Sequence, residues 1–413
     1  MLKDVATLLI GAGASLWADA PKTVEVLDHL LAYSEPTVIM EDDFTYTGYE
    51  FKPPIQRPKD PTRVPAFWVV DRALRARIKS RNYEHVFHAV EELLAYSASN
   101  SYYREFNPEE SLTLTAFTDP KWDFRQLFSV PLALKMHQQI LIAIFELICR
   151  ASTSLTPPKE FVDFWGALTT QYRVHVFSPN YDDVLEYYVH PKSNLADGFT
   201  TPVGAYFGFS PRDFMQAYES ADALLCHIHG SVRFGYGSMD PRDTIIVKFQ
   251  NRGDARESLN YDKMPDGNVS GDLAINSPLI SGHRKALKFS SAPFAHYMSA
   301  FQWDALHEPR LVIVGYGFND PHINAILEQF SHRFPTGRRI VHITSARPQD
   351  KAMTPLANSV LMYGKTTSYS AGSVGGDQFL ESQNVLIFHS GFPLKDSGSA
   401  KKIAAFLSGA SAK

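Results

Sequence analysis

A mostly parallel α/β sheet carrying a large helical insertion is the fold class that the chain predicts, on three observations. Short apolar runs recur at residues 5–10, 173–177, 223–228, 310–314, 339–343 and 384–388, each the length of a strand buried on both faces. Helical or irregular stretches separate them, which is the alternation of βαβ units rather than of hairpins. Several of these runs stop at small or polar residues, where an open α/β sheet presents its ligand-facing loops. The expected architecture is therefore Rossmann-like.

The first run, 5–10, ends at Gly11 and is the first strand. The interval from there to 173 is much too long for one crossover helix, so a subdomain is inserted. Within it, Pro53, Pro54, Pro58, Pro61 and Pro65 mark an irregular segment, and the alternation over 44–51 predicts a small hairpin. The spacing over 83–94 puts Val86, Phe87, Val90, Leu93 and Leu94 on one helical face, and 132–150 and 160–169 read as helices in the same way. The chain thus divides into a first βα unit (1–29), a largely helical insertion (30–170), the remainder of the Rossmann-like domain (171–345) and an extension that completes the sheet edge (346–413). Residues 234–272, rich in Gly, Asp and Arg, predict a long surface excursion of the kind that forms lids, binds partners or is simply disordered. Residues 367–376 predict a loop of small residues, and 400–407 a terminal helix.

Composition narrows the function classes. The 413 residues are 44% hydrophobic with a formal net charge of -4, enough for a sizeable core and without the basic footprint of a nucleic-acid binder. Cys149 and Cys226 both lie inside apolar runs, as buried thiols rather than a disulfide framework, which fits a reducing compartment. The chain opens into a strand without a charged leader and cleavage site, and the most apolar helical run, 139–148, is broken by Glu146 and too short for a bilayer. A cytoplasmic location without a membrane span is expected.

Four loops carry the candidate chemistry. Gly11-Ala12-Gly13-Ala14-Ser15 comes directly after a strand, and glycines there let backbone approach a pyrophosphate while N–H groups at a helix start favour negative charge. The third glycine of the dinucleotide fingerprint is missing, and a plain strand-to-helix turn reads almost as well. Asn180-Tyr181-Asp182 ends the second strand; as a helix cap it needs no further role, but an amide at that sheet edge can also hold ribose hydroxyls or a water. In Cys226-His227-Ile228-His229-Gly230-Ser231, alternation sets the two histidines on one face, with His229 nearest the exit turn, where an imidazole can accept a proton, although taken alone a histidine satisfied by backbone groups is the better reading. Two histidines without a third ligand or a Cys pair make a poor zinc site, so no metal is expected. Gly315-Tyr316-Gly317-Phe318-Asn319-Asp320-Pro321 is a second strand, glycine turn and capped helix start, and a second crevice of this kind suits the other half of a dinucleotide.

In this order the four elements resemble the sirtuin family, specifically its bacterial sirtuin-like branch in antiviral defence. The likeness extends to residues 82–94 and 278–285 and covers most of 1–345. It implies that Asn180 and His229 are the catalytic pair, and that Gly11, Ala12, Gly13, Ala14 and Ser15 bind phosphate and ribose, with Tyr181, Asp182 and Gly230 beside them. It implies further that Gly315, Tyr316, Gly317, Asp320 and Asn324 flank the adenosine. Two departures stand out: Gly317 replaces the family's serine, and Ser178-Pro179 replaces Thr-x before the asparagine. Two distant cysteines cannot build the zinc ribbon of protein-deacylating sirtuins. What the resemblance leaves is cleavage of the nicotinamide–ribose bond of NAD, taken as substrate without a metal. It implies an NAD+ hydrolase acting as effector of an antiphage complex, homo-oligomeric and working with a separate sensor or ATPase partner such as a HerA-like ATPase or an Argonaute. A non-catalytic NAD or ADP-ribose sensor, or a zinc-independent deacylase or ADP-ribosyl transferase, are the alternatives.

Overall fold

In the computed structural model the described residues are 3–21, 23–32, 37–40, 46–50, 63–75, 83–97, 130–149, 156–189, 195–238, 245–259, 277–282, 285–335, 337–345 and 369–409. In chain order the elements are β1 (Val5–Ile10), α1 (Thr23–Leu31), β2 (Thr37–Met40), β3 (Tyr46–Glu50), β4 (Arg63–Pro65), α2 (Ala66–Arg75), α3 (Tyr83–Ser97), α4 (Val130–Ile148) and α5 (Lys159–Gln171). Next come β5 (Arg173–Ser178), α6 (Val184–Val189), β6 (Leu195–Ala196), β7 (Phe199–Val203), β8 (Tyr206–Phe209), α7 (Pro211–Ser220), β9 (Ala223–His227), β10 (Phe234–Ser238), β11 (Ile245–Phe249) and α8 (Arg252–Glu257). The last are α9 (Lys285–Lys288), α10 (Phe294–His307), β12 (Arg310–Val314), α11 (Pro321–Arg333), β13 (Arg339–Ile343), β14 (Ser370–Val374), β15 (Asp377–Glu381), β16 (Val385–Phe388) and α12 (Ser397–Ser408).

The main sheet runs β14-β15-β16-β13-β12-β1-β5-β9-β6, and it is parallel from β16 to β6. All six apolar runs read from the sequence are strands of it, because residues apolar on both sides suit a sheet covered on both faces. Alternate side chains part accordingly. Leu9, Phe177, Leu224 and Ile313 pack with α3, α4, α10 and α11, while Leu8, Ile10, Val176 and Val314 pack with α5 and α12 on the other face. α5, within the span expected to be inserted, therefore lies across the sheet from α3 and α4.

Strand order places the site. From β1 the chain moves outward through β5 and β9 on one side, then returns to β12 on the other and moves out through β13 and β16. The loops after β1 and β12 thus leave neighbouring strands at the point where the order reverses, which is where open α/β sheets form a crevice.

Three local expectations differ from the structure. Residues 234–238 and 245–249 are not an irregular excursion: β10 and β11 pair antiparallel and join β7 and β8 in a second, four-stranded sheet, burying Phe234, Tyr236, Ile246 and Phe249. The expected loop at 367–376 contains β14, which pairs with β15 across the two-residue tip Gly375-Gly376. The hairpin expected within 44–51 is instead β3 paired with the preceding β2. The proline-rich stretch 51–62 and residues 260–272 lie outside the described residues.

Candidate functional site

At the reversal of strand order the two glycine loops interlock. The Gly11 N–H donates to the Val314 carbonyl (2.8 Å) and the Gly13 N–H to the Gly315 carbonyl (3.1 Å). A Cβ on Gly11 would sit 2.6 Å from Tyr316 Cα, and one on Gly315, whose φ is +59°, would sit 2.5 Å from Ala14 N. These glycines are required by close passage of one loop over the other, before any ligand is considered. Past Gly11 the chain makes two short turns, Ala12–Ala14 and Leu16–Ala18, before the helix of the first βα unit, α1, begins at Thr23.

Beside the interlock opens a cleft of about 460 Å³. Gly11, Ala12, Asn180, Tyr181, Asp182, His229, Gly315, Tyr316, Gly317 and Asp320 all line it, so residues from four distant loops meet. The size falls within the range of small-molecule sites. Gly13, Ala14, Ser15, Gly230 and Asn324 are not in its wall. Ser15 is buried, donates to Asp182 Oδ1 (3.0 Å) and accepts from Asn180 Nδ2 (3.4 Å), so it sits behind Asn180. Gly230 bridges antiparallel to Leu279, and the His229 carbonyl accepts from the Ile280 N–H (2.7 Å), which pins the turn holding the histidine. Asn324 donates to the Phe318 carbonyl and accepts from Tyr316 Oη (both 2.9 Å), bracing the loop after β12.

The electrostatics separate the two histidines. β9 ends at His227, so strand alternation does not carry through to His229. His227 Nε2 lies 3.1 Å from Glu186 Oε1, and Glu186 also pairs with Lys248 (2.9 Å). His229 is 5% exposed and its Nε2 makes no hydrogen bond, with Asp320 Oδ2 at 3.4 Å. Burial, aided by the Lys285 charge and opposed by Asp320, lowers its pKa to about 3. At neutral pH His229 is a neutral imidazole and a proton acceptor.

Asp320 caps α11, its Oδ1 accepting from the N–H groups of His322 (3.0 Å) and Ile323 (3.2 Å). Burial would raise its pKa, but His229, Lys285 and the cap bonds outweigh this and lower it to about 2. Asp182 moves the other way, raised by burial against the Ser15 bond. Burial likewise raises the Tyr181 phenol, whose Oη donates to the Ile280 carbonyl (2.9 Å).

Two charged wall residues, Glu84 and Lys285, were not singled out in the sequence. Lys285 Nζ reaches Asp320 Oδ2 (2.8 Å) and Glu84 Oε1 (2.9 Å). Burial would lower the lysine, but the two carboxylates prevail and raise it. Both residues lie in the outlying segments of the family resemblance, 82–94 and 278–285, the one signal that could have found them.

Among the described residues no three His, Cys, Asp or Glu side chains gather as a metal site, and no helix is long and apolar enough to cross a membrane. Both cysteines are free.

No curated protein matches the chain. The family model of the SIR2-like domain matches residues 174–361, which hold Asn180, His229 and the loop after β12; the Gly11–Ser15 loop lies outside the match and is brought to the same cleft by the pairing of β1 with β5 and β12. SIR2-like domains use NAD. Residues 174–361 are thus similar to the SIR2-like domain, and the sheet order agrees with a Rossmann-like fold.

Proposed function

We propose that the chain is an NAD+ glycohydrolase, converting NAD+ and water to nicotinamide, ADP-ribose and a proton. The observation that carries this reading is the meeting in one cleft of Asn180, with its amide nitrogen held by Ser15, and His229, with a buried Nε2 that no group satisfies. A buried polar atom that the protein leaves without a partner carries a free-energy cost, which a hydrogen bond to a ligand hydroxyl or water relieves.

Nicotinamide leaves as a neutral molecule from a cationic ring, so the reaction asks little of an acid. Positive charge develops at the ribose as the bond breaks, and water adds there. Asn180 orients the water or a ribose hydroxyl, and neutral His229 accepts the proton released on addition; each contribution is on the order of a few kcal/mol in a site that excludes solvent. Ser15 and Asp182 hold Asn180 and its loop rather than the ligand. Gly11, Gly315 and Gly317 line the cleft without side chains, which leaves room for a diphosphate close to the backbone. The glycohydrolase needs no metal in this scheme.

The family resemblance supports the setting: an effector of a bacterial antiphage complex in the cytoplasm, homo-oligomeric, whose NAD consumption is released by a separate sensor or ATPase partner such as a HerA-like ATPase or an Argonaute. The test is nicotinamide release from NAD+ by the purified chain, alone and with the product of its neighbouring gene, for wild type, Asn180→Ala and His229→Ala. Turnover by wild type that both variants lose supports the reading. Saturable NAD binding without turnover in every combination replaces it with a sensor, and mass gain on a protein acceptor replaces it with a transferase.

A further inference from the structure

Lys285 occupies a position that the catalytic scheme leaves unexplained. It sits on the short α9, and the second lysine of that helix, Lys288, is buried against Glu91. Glu84 and Glu91 lie seven residues apart on α3, so the two ion pairs fasten α9 along one stripe of the inserted helix. Buried ion pairs are expensive in desolvation and are weak evidence of a gain in stability. Lys288 is not in the cleft wall and donates also to the Ser281 carbonyl (2.9 Å). Lys285 does more, because it lines the cleft and holds a second carboxylate.

That second carboxylate is Asp320, and its two oxygens are divided. Oδ1 caps α11. Oδ2 is 2.8 Å from Lys285 Nζ and 3.4 Å from His229 Nε2. A carboxylate oxygen facing an imidazole normally draws a proton onto the ring and holds it there. Here the ammonium group stands on the same oxygen. We propose that Lys285 is a positioning residue of the cleft: it occupies the Asp320 carboxylate so that His229 presents an unprotonated Nε2 to the ligand, and Glu84 grips the lysine from the side of the inserted helix.

This inference rests on His229 being the proton acceptor. Lys285 and Lys288 from α9 and Asp320 and His322 from α11 act on the ring, and Glu84 of α3 holds Lys285. The three cationic or protonatable neighbours disfavour a proton on His229 and Asp320 alone favours it. Removing the Lys285 charge therefore leaves Asp320 uncompensated 3.4 Å from the ring.

The test reads the His229 imidazole directly. Full-length chain labelled in its histidine rings is titrated by NMR without NAD, with His229→Gln identifying the signal. Wild type is compared with Lys285→Met, Lys285→Gln and Lys285→Arg, each checked for folding by its thermal melt. Wild-type His229 stays neutral throughout the mildly acid range. In Lys285→Met and Lys285→Gln the His229 titration rises by at least about one pH unit, the size expected for losing a cation close to a buried ring. Lys285→Arg restores the wild-type titration. Where nicotinamide release is measurable, the acid limb of kcat/KM moves up by the same amount in the neutral variants. A titration unmoved in a folded Lys285→Gln, whatever happens to turnover, overturns the proposal and leaves the lysine as a strut. A shifted titration in a chain that releases no nicotinamide under any condition sustains the Lys285 assignment while the glycohydrolase reading fails.

Discussion

His227 and His229 stand two residues apart, are both buried, and have opposite fates. His227 is enclosed in a cluster in which Glu186 answers both it and Lys248, and Lys248 in turn answers Asp197. Burial would raise the Glu186 carboxyl, yet Lys248 and His227 bring it well below its usual range, the mark of a charge network satisfied within the protein. His229 shares its nearest carboxylate with a lysine and keeps a bare ring nitrogen in a cleft. Burial and perturbed charge are common to both regions. What distinguishes a site from a strut here is the unsatisfied atom, and the difference arises from one backbone event: β9 ends at His227, so the next residues turn away from the strand.

The largest expected effects break this comparison at its centre. His229→Ala and Asn180→Ala each lower nicotinamide release by about 10²–10³-fold with little change in the thermal melt. His227→Ala does the reverse, costing about 1–3 kcal/mol in a denaturant titration because it strips a buried partner from Glu186, while more than about a tenth of the turnover survives. Equal losses of turnover in His227→Ala and His229→Ala, at equal stability, would erase the distinction.

Next in size is the interlock that aligns the loops. Gly315→Ala places a Cβ 2.5 Å from Ala14 N at a backbone φ of +59°. Left-handed strain alone costs about 1–3 kcal/mol, and relief of the clash moves the β1 and β12 loops apart. A lowered melting temperature together with weakened ADP-ribose binding is expected, read by calorimetry on one preparation.

Most of this frame was legible in the sequence because runs such as Val5–Ile10 and Arg310–Val314 are apolar at nearly every position, a pattern that only a sheet covered on both faces uses. The four loops were legible for the same reason, as the polar stops of those runs. β10 and β11 were not, since Gly235 and Gly237 interrupt the alternation of Phe234 and Tyr236 and resemble a loop. The small residues of β14 resemble a loop and concealed the strand that pairs with β15. Ser15 carries a hydroxyl suited to a ligand, and only tertiary packing turns it onto Asp182 and Asn180. Lys285 and Glu84 are the reverse case: charged residues of amphipathic segments normally face solvent, and the approach of α3 to α9 brings them into the cleft.

A smaller effect separates the cleft by pH. His229 has a folded pKa lowered to about 3, below its unfolded value of 6.5, so as pH falls below 6.5 the unfolded chain takes up a proton that the folded chain refuses. Its share of stability therefore declines from about pH 6.5 toward 3, and His342, buried with both ring nitrogens unpartnered, adds a like share. Asp320 is lowered to about 2 from 3.8, so its stabilising share is intact above 3.8 and lost as pH falls toward 2. Thermal melts of His229→Gln between pH 7 and 4 are expected to fall less steeply with acid than those of wild type. Parallel slopes would mean that the ring is solvated. The smallest effect is expected at Gly317, where a Cβ would meet only the Asn319 side chain at 3.1 Å. Gly317→Ser, which restores the hydroxyl of the sirtuin pattern, changes stability by less than about 0.5 kcal/mol and lowers KM for NAD+ modestly.

The most direct measurement is a crystal structure of the chain with ADP-ribose. The diphosphate is expected in the cleft beside the interlocked Gly11 and Gly315 loops, and the ribose that carried nicotinamide within about 3 Å of both the Asn180 amide and His229 Nε2. Density for the ligand outside this cleft, or inside it with that ribose turned away from both side chains, would contradict it.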